Sequence, residues 1–358
     1  MLRVEMLPAG NGDCLWIEYG SVSEVHRILI DGGRKSTYEH LRDRILALPA
    51  SQRVFELLVV THIDNDHIEG ILPLLQDTAL QCRFEEVWYN GWRHLPGALA
   101  AASPEDTLGP REGEFLGVLL EDAAIPWNVS FGGGAVVVPD DGELPCRKLD
   151  GGLQLTLLSP TLDRLVALGA TWRKVIEDAG FQPGDIDTMR AELKKRKYLP
   201  TPADVMGRVE EGPGGSDNSE ANGSSIAVLA EYNGVSALLT GDAFADVLAA
   251  SLSRADASTD KPLPVDLWKL AHHGSWANFT PELFTLVKTR RYLVSTDGSG
   301  HEHPHARTLD YIIDNYPWRG RPELIFNYRS PTTEPWAAEQ PSTRKFTASY
   351  PAGTVLVL

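Results

Sequence analysis

The sequence of 358 residues predicts an α/β fold, because short apolar runs typical of buried strands alternate with amphipathic stretches typical of helices. A second observation is that three of the predicted strands are each followed by side chains of the types that bind metal ions. In α/β folds, residues at the carboxyl ends of strands gather at one edge of a sheet. We therefore expect a single domain over residues 1–358 with a metal site at such an edge.

The alternation is clearest in the first and last thirds of the chain. The predicted strands cover residues 15–19, 27–30, 55–60, 84–89, 153–158, 225–232, 235–240, 267–271 and 291–295. The predicted helices cover 38–48, 68–75, 281–288 and 306–315. Asn233-Gly234, between two of these strands, is the signature of a β-hairpin turn.

Residues 161–219 interrupt this pattern. Amphipathic helical patterning covers 161–180 and 185–198, and residues 211–219 are rich in Gly, Pro, Ser and acidic side chains. We expect a helical and loop insert that lies at the edge carrying the metal site, outside the main sheets.

Composition limits the partners and the compartment. With 33 basic and 49 acidic residues, the net charge is −16, which repels duplex DNA and anionic membranes at long range. Three scattered cysteines exclude a disulfide framework and a cysteine-based zinc site. The amino terminus lacks the layout of a signal peptide, and no apolar run is long enough to span a bilayer. These features predict a cytoplasmic protein that does not bind membranes or long duplex DNA.

The strongest motif is His62-Ile63-Asp64-Asn65-Asp66-His67, directly after the strand predicted at 55–60. Four potential ligands within six residues suit zinc, manganese or iron better than calcium, because imidazole is a ligand for the former. Taken singly, Asp66 could cap a helix and His62 could be an ordinary loop residue. The four together favour a metal site.

Two further strand ends carry ligand types. Asp242 follows the strand predicted at 235–240, after Gly241, which permits close approach of the backbone. The pair His272-His273 follows the strand predicted at 267–271, and we expect only one of the two to bind metal. Because three aspartates would gather at this edge, two divalent ions would bring the cluster near neutrality.

These motifs resemble those of the metallo-β-lactamase superfamily, whose signature His-x-His-x-Asp-His appears here with Asp64 as its second ligand. The variant is similar to the hydrolase domain of ComEC-type competence proteins and their stand-alone relatives. The matching segments are His62 to His67, Leu-Leu-Thr-Gly-Asp ending at Asp242, His272-His273-Gly274-Ser275, Gly12-Asp13-Cys14, Leu29 to Gly33, Asn222 to Ser225, and His303-Pro304.

The resemblance implies a four-layer αββα sandwich with two divalent ions, for which zinc is favoured and manganese is the alternative. It implies that His62 and Asp64 hold the first ion and that Asp66 and His67 hold the second. Asp242 would bridge the ions, and His272 or His273 would complete the second site. Asn222 stands near the position where many members have a histidine, which predicts a weaker first site.

Other residues leave alternatives open. His301, His303 and His305 alternate, so they form either one face of a site or a surface loop, and His303 is our choice for substrate contact because the resemblance places a His-Pro there. The basic run at 194–197 suits a helix end better than a phosphate-binding lid. The aromatic residues Trp88, Tyr89 and Trp92 suit core packing at least as well as a substrate wall.

Together these observations predict a hydrolase that uses a metal-bound hydroxide, with Asp66 and His303 as catalytic residues. The expected substrate is a small phosphodiester, a nucleotide or a nucleic acid. One alternative is hydrolysis of a carboxylic ester, lactone or thioester on the same fold. A second is a metal-stabilised binding protein without catalysis. The oligomeric state is not indicated by the sequence.

Overall fold

The structure is a computed structural model that describes residues 1–95, 109–195, 217–255, 262–338, 345–351 and 355–357. In this part of the chain, strands form two large sheets and two small ones, and helices cover them. The strands are β1 (Leu2–Met6), β2 (Leu15–Gly20), β3 (Val25–Ile30), β4 (Val54–Phe55), β5 (Leu57–Val59), β6 (Arg83–Phe84), β7 (Val87–Trp88), β8 (Cys146–Lys148), β9 (Gln154–Ser159), β10 (Ala227–Tyr232), β11 (Val235–Leu239), β12 (Leu263–Pro264), β13 (Leu267–Lys269), β14 (Val287–Lys288), β15 (Arg291–Val294), β16 (Glu323–Phe326), β17 (Thr347–Ser349) and β18 (Val355–Val357). The helices are α1 (Tyr38–Leu46), α2 (Asn65–Ile68), α3 (Ile71–Gln76), α4 (Pro110–Asp122), α5 (Leu162–Asp178), α6 (Ile186–Lys195), α7 (Glu220–Gly223), α8 (Ala245–Ala255), α9 (Pro281–Leu286), α10 (Ala306–Asp314) and α11 (Glu334–Ala337).

The first large sheet has the strand order β18-β1-β2-β3-β5-β7. The pairings β18–β1, β1–β2 and β2–β3 are antiparallel. The pairings β3–β5 and β5–β7 are parallel. Parallel neighbours need a crossover connection, which α1 provides between β3 and β5, and α2 and α3 provide between β5 and β7. The carboxyl ends of these parallel strands therefore lie at one edge.

The second large sheet has the order β17-β16-β15-β13-β11-β10-β9-β8. The strands β8 to β11 pair antiparallel, and the Asn233-Gly234 turn joins β10 to β11 as predicted. From β11 through β17 the neighbours are parallel. The helices α8, α9 and α10 connect these strands, so the loops that follow β11, β13 and β15 emerge together.

Three buried clusters show that the two sheets pack face to face with helices outside. Adjacent residues of one strand point to opposite faces, so each strand contributes to two clusters. Trp16 lies under the helices on the first sheet, and its neighbour Ile17 lies between the sheets. Leu238 lies under the helices on the second sheet, and Leu239 lies between the sheets. This confirms the predicted α/β class and the four-layer αββα arrangement.

The helices α5 and α6 lie within the segment predicted as an insert. Leu165 and Trp172 of α5 and Met189 of α6 are buried in the helical layer of the first sheet. The Trp172 indole donates a hydrogen bond of 2.9 Å to Glu114 of α4. Residues 196–216 lie outside the described part, so the insert over 161–219 and the single-domain division stay predictions.

No helix in the described ranges is long and apolar enough to cross a membrane.

Candidate metal centre

The ends of β5, β11 and β13 meet at one edge of the sandwich. Because β11 and β13 are parallel neighbours, Asp242 and the His272-His273 turn leave the second sheet on the same side. In the first sheet, β5 lies beside β3, whose end carries Asp31. The three groups of residues that the sequence singles out are thus brought together by the parallel parts of both sheets.

Asp242 lies at the centre of a ring of histidines. Its Oδ2 atom is 3.3 Å from His67 Nε2 and 3.5 Å from His273 Nε2. The Nε2 atoms of His62 and His272 each lie 3.9 Å from the same oxygen. Four imidazole nitrogens therefore surround one carboxylate, as the predicted bridging role of Asp242 would require.

Gly241 and Ser225 fix the direction in which Asp242 leaves β11. Gly241 has a φ of +48°, and a Cβ at this position would lie 2.5 Å from Ser225 Oγ. Only glycine fits such a left-handed, crowded backbone without strain. Ser225 Oγ accepts a hydrogen bond of 3.0 Å from the Asp242 amide. The carboxylate is therefore positioned by its own turn before any ion binds.

The three most buried histidines of the ring are each held through the Nδ1 atom, which leaves Nε2 directed at the cluster. Such an outer partner fixes the tautomer and orientation of a metal-binding imidazole. The partners are Thr61 Oγ1 at 2.9 Å for His62, Asp31 Oδ2 at 2.8 Å for His67 and the Ser295 carbonyl at 2.8 Å for His273.

The atoms that face the centre lack hydrogen-bond partners. His62 Nε2, His67 Nε2, His273 Nε2 and Asp242 Oδ1 are all buried and unpaired among the described residues. A buried polar atom without a partner costs roughly 1–3 kcal/mol, so several in one place call for an explanation. Divalent cations would satisfy all of them at once, and the residues at this edge therefore fit metal ions.

Four overlapping triads of ligand atoms can be distinguished among the described residues, and two of them contain His62 or Asp66. His62, His67 and Asp242 form one triad, and Asp66, His67 and His273 form the other, with the ligand atoms of each triad within 4.8 Å of one another. We call them the His62 side and the Asp66 side of the cluster. The two triads share His67, whose single free nitrogen, Nε2, can bind one ion only.

Asp64 lies at the rim of the cluster. Its Oδ2 atom is 3.5 Å from His62 Nε2, and its side chain is 20% exposed, so it can reach an ion on the His62 side. Asp64 belongs to neither triad. The assignment of His62 with Asp64 and of Asp66 with His67, which the resemblance implies, stays a prediction.

The two adjacent histidines have different environments. Both have positive φ, at +46° for His272 and +56° for His273, a conformation that is costly for residues other than glycine and concentrates at functional sites. His273 is buried and faces Asp66 at 3.6 Å, whereas the His272 side chain is 14% exposed. The geometry favours His273 as the ligand and leaves His272 as the partly exposed member of the pair.

Two residues that the sequence analysis did not single out, Asn278 and Asp217, hold the His272 side chain in place. Asn278 Oδ1 lies 2.9 Å and Asp217 Oδ2 lies 3.3 Å from His272 Nδ1. Asp217 Oδ2 also accepts hydrogen bonds from Asn278 at 2.8 Å and from Asn222 at 2.7 Å. The amide nitrogen of Asn222, the residue near the position where many members of the resembling family have a histidine, therefore donates a hydrogen bond to Asp217.

Asp13 and Asp31 are buried beside the cluster, and they appear in the sequence only as part of the Gly12-Asp13 and Asp31-Gly32 matches. Asp13 forms an ion pair of 2.5 Å with the fully buried Lys269. A Cβ at Gly12 would lie 1.7 Å from the Asp66 carbonyl, so glycine alone allows this close approach. The sequence does not indicate these contacts, because residues such as 13 and 269 are far apart along the chain.

Mutual charge interactions change the pKa values in the cluster. Burial would raise the pKa of the Asp242 carboxyl, but His273 and His67 outweigh it and lower that pKa well below its usual range. Burial would lower the pKa of His67, but Asp242 and Asp31 raise it well above its usual range. The raised pKa favours the protonated form of His67 in the metal-free protein, and a cation that binds there must displace that proton.

His301, His303 and His305 extend from the cluster as a row of rings. The His303 ring centroid lies 4.8 Å from that of His272 and 6.3 Å from that of His273. His303 is only 4% exposed, and burial together with the charge of His272 lowers its pKa well below the ordinary value. His305 Nδ1 accepts a hydrogen bond of 2.9 Å from the Trp276 amide. His303 thus lies beside the candidate ligands without joining either triad.

The aromatic residues considered from sequence serve packing. Trp88 is buried between the sheets, and Tyr89 is buried under the helices of the first sheet. Trp92 packs against Trp172 with ring centroids 6.4 Å apart.

The basic run at 194–197 is described only in part. Lys195 forms an exposed ion pair of 2.6 Å with Glu192 within α6, and Lys194 is exposed. Arg196 and Lys197 lie outside the described residues.

Comparison with solved structures shows a similarity at the level of the fold. No protein-family model and no curated protein matches the chain. Among solved structures, the chain is similar to a MIM-2 metallo-β-lactamase, with 12% sequence identity and a TM-score of 0.30. The alignment covers 77% of this chain and 82% of that protein.

Proposed function

We propose that this chain is a metal-dependent hydrolase that cleaves phosphodiester bonds in nucleotides or short nucleic-acid strands. The observation that carries the proposal is the set of unpaired, buried Nε2 and Oδ atoms of His62, His67, His273 and Asp242 around one point. When bound there, divalent ions supply an activated water molecule and polarise the bond to be cleaved.

The proposed ligands are drawn from the two triads and their rim. His62, His67 and His273 would each bind through Nε2, because each Nδ1 is already held from outside. Asp242 would bridge, and Asp66 would bind on its own side. Asp64 is proposed as an additional ligand on the His62 side. Zinc is favoured by the imidazoles, and the carboxylates also suit manganese.

Two residues are proposed to act on the substrate. Asp66 would accept a proton, since its Oδ2 atom faces the cluster and is held by a hydrogen bond of 3.0 Å from Asn11 Nδ2. His303, which lies beside His272, would contact a substrate oxygen. The His272 ring would support the His303 ring by direct contact, while Asn278 holds the Nδ1 atom of His272.

The phosphodiester class rests on the resemblance to ComEC-type hydrolase domains and on the suitability of paired ions for charged phosphoryl groups. The net charge of −16 favours a small or single-stranded substrate over long duplex DNA. Carboxylic esters, lactones and thioesters are the competing substrates for the same cluster.

The test compares substrate classes with the metal-loaded protein. We expect bis-p-nitrophenyl phosphate to be hydrolysed with zinc or manganese, and His67→Ala to lose this activity. His40 is an exposed histidine on α1, so His40→Ala is the matched control and should retain activity. Hydrolysis of a lactone or thioester without diester cleavage would reassign the substrate class, and metal binding without any turnover would favour a binding protein.

A further inference from the structure

Arg34 lies next to the Asp66 side of the cluster but was not singled out by any motif. It follows Asp31-Gly32-Gly33 at the end of β3, and its amide donates to the Ala9 carbonyl at 3.4 Å. A Cβ at Gly33 would lie 2.7 Å from Ala9 Cβ, so this turn is pressed against the loop that precedes Asp13. The backbone therefore fixes where the Arg34 side chain begins.

A chain of hydrogen bonds links Arg34 to a proposed ligand. Arg34 Nε donates to Asn11 Oδ1 at 3.0 Å, and Asn11 Nδ2 donates to Asp66 Oδ2 at 3.0 Å. Asp66 Oδ2 in turn lies 3.6 Å from His273 Nε2. Arg34 is thus held in a defined direction, one side chain removed from the residues that would touch the ions.

The outer edge of the Arg34 guanidinium remains available. Among the described residues, neither Nη atom has a hydrogen-bonding partner, and the nearest acid is Glu69, 3.9 Å from Nη1. The Arg34 side chain is 24% exposed. The other cation near the cluster, Lys269, is fully buried and paired with Asp13, so it cannot meet a substrate.

His301 approaches the same place from the other side. Gly300 contacts Asn11, because a Cβ there would lie 3.0 Å from Asn11 Nδ2. The His301 ring centroid is 5.6 Å from that of His303 and 6.4 Å from that of His272. Arg34 bonds to Asn11, and His301 follows Gly300, which also lies against Asn11. Both lie one layer outside the proposed ligands.

We infer that Arg34, assisted by His301, binds a second phosphate of the substrate, adjacent to the phosphodiester that is cleaved. The inference rests on the proposed function. A guanidinium binds phosphate oxygens through two parallel hydrogen bonds, and the two Nη atoms offer that edge. Because Asn11 and Asp66 separate Arg34 from the cluster, the oxygens it binds belong to a phosphate that the ions do not hold. The substrate class is therefore a nucleotide strand with at least two neighbouring phosphates.

The experiment uses two dinucleotides that differ only by one phosphate, TpT and 5′-phosphorylated pTpT, with the metal-loaded protein. We expect the wild-type protein to prefer pTpT in kcat/KM by about 10-fold, the effect of one charge-assisted contact. Arg34→Gln should reduce this preference to about 1, and Arg34→Lys should retain part of it, since lysine keeps the charge but not the paired geometry. Arg319→Gln, at an exposed arginine, should retain the full preference.

A binding measurement makes the result independent of turnover. Analogues of TpT and pTpT with an uncleavable methylphosphonate linkage should show the same difference in Kd, and Arg34→Gln should remove it. Equal affinity of the wild-type protein for both analogues, or an equal loss for both in Arg34→Gln, would overturn the inference about Arg34. Failure to cleave either dinucleotide would count against the proposed function, whereas the binding pair would still decide the role of Arg34.

Discussion

The two sides of the metal cluster differ in how firmly their ligands are held. On the Asp66 side, Asp66 accepts a hydrogen bond from Asn11, and His273 is buried and tied to the Ser295 carbonyl. On the His62 side, His62 is buried and held by Thr61, but Asp64, with a side chain about as exposed as that of Asp66, has only His62 as a described side-chain contact. Ligands that are already ordered lose less entropy on binding, so the comparison predicts that the Asp66 side binds its ion more tightly.

The largest expected effect comes from removing the group that both sides share. Asp242→Asn removes the charge next to four histidine Nε2 atoms. The affinity of the protein for both ions should therefore fall at least about 100-fold. Calorimetric titration with zinc would measure it. The matched control is Asp140→Asn at an exposed aspartate. If Asp242→Asn bound two ions with unchanged affinity, the bridging position would be wrong.

The next effect separates the two sides. Asp66→Ala should weaken the tighter of the two binding steps by roughly 100-fold, and Asp64→Ala should weaken only the looser one, by roughly 10-fold. The reason is that Asp66 belongs to a triad and is held by Asn11, whereas Asp64 belongs to neither triad. Titration of both variants side by side gives the comparison. An equal loss in the two variants would show that the sides do not differ.

The pH dependence of metal binding follows from the histidine pKa values. Burial lowers the pKa of His273, but Asp242 and Asp13 outweigh it and raise that pKa, as Asp242 and Asp31 do for His67. The raised pKa values favour the protonated form of both rings in the metal-free protein, and an ion must displace those protons. Affinity should rise as the pH increases from about 6 to 8, with protons released on binding. Calorimetry in buffers of different ionisation enthalpy counts them, and binding that does not depend on pH would contradict the charge balance described for the cluster.

The smallest effect on metal binding is expected from a change at His303. His303→Ala should leave metal content unchanged, because His303 belongs to neither triad, but should lower kcat by about 100-fold if it contacts the substrate. Metal analysis and diester hydrolysis on the same sample separate the two roles. A parallel loss of metal and activity would make His303 a ligand instead.

The sequence predicted the parts of the fold that depend on neighbouring residues. The apolar runs at β2, β3, β10 and β11 and the Asn-Gly turn identified strands correctly because burial and turn chemistry are local. The prediction did not include β1, β16, β17, β18, α4 or α8. The carboxyl-terminal strands β16 to β18 are three or four residues long and gain stability from pairing with distant strands, which leaves little pattern in the sequence.

The same limit applies to the candidate site. The residues from His62 to His67 were found because they are contiguous. Asp217, Asn278 and Asn11 were missed, since each is an isolated polar residue whose contacts include hydrogen bonds across a long sequence separation, such as the 61 residues between Asn278 and Asp217. An isolated aspartate or asparagine in a loop gives no signal of this kind, and only the fold brings it to a histidine.

Anomalous scattering from crystals soaked with zinc or manganese tests the central claim most directly. The expected result is two peaks roughly 3.5–4 Å apart, the stronger within bonding distance of Asp66 and His273 and the weaker within bonding distance of His62, with Asp242 between them. No peak at this cluster, or peaks only elsewhere on the protein, would contradict the assignment of a metal centre.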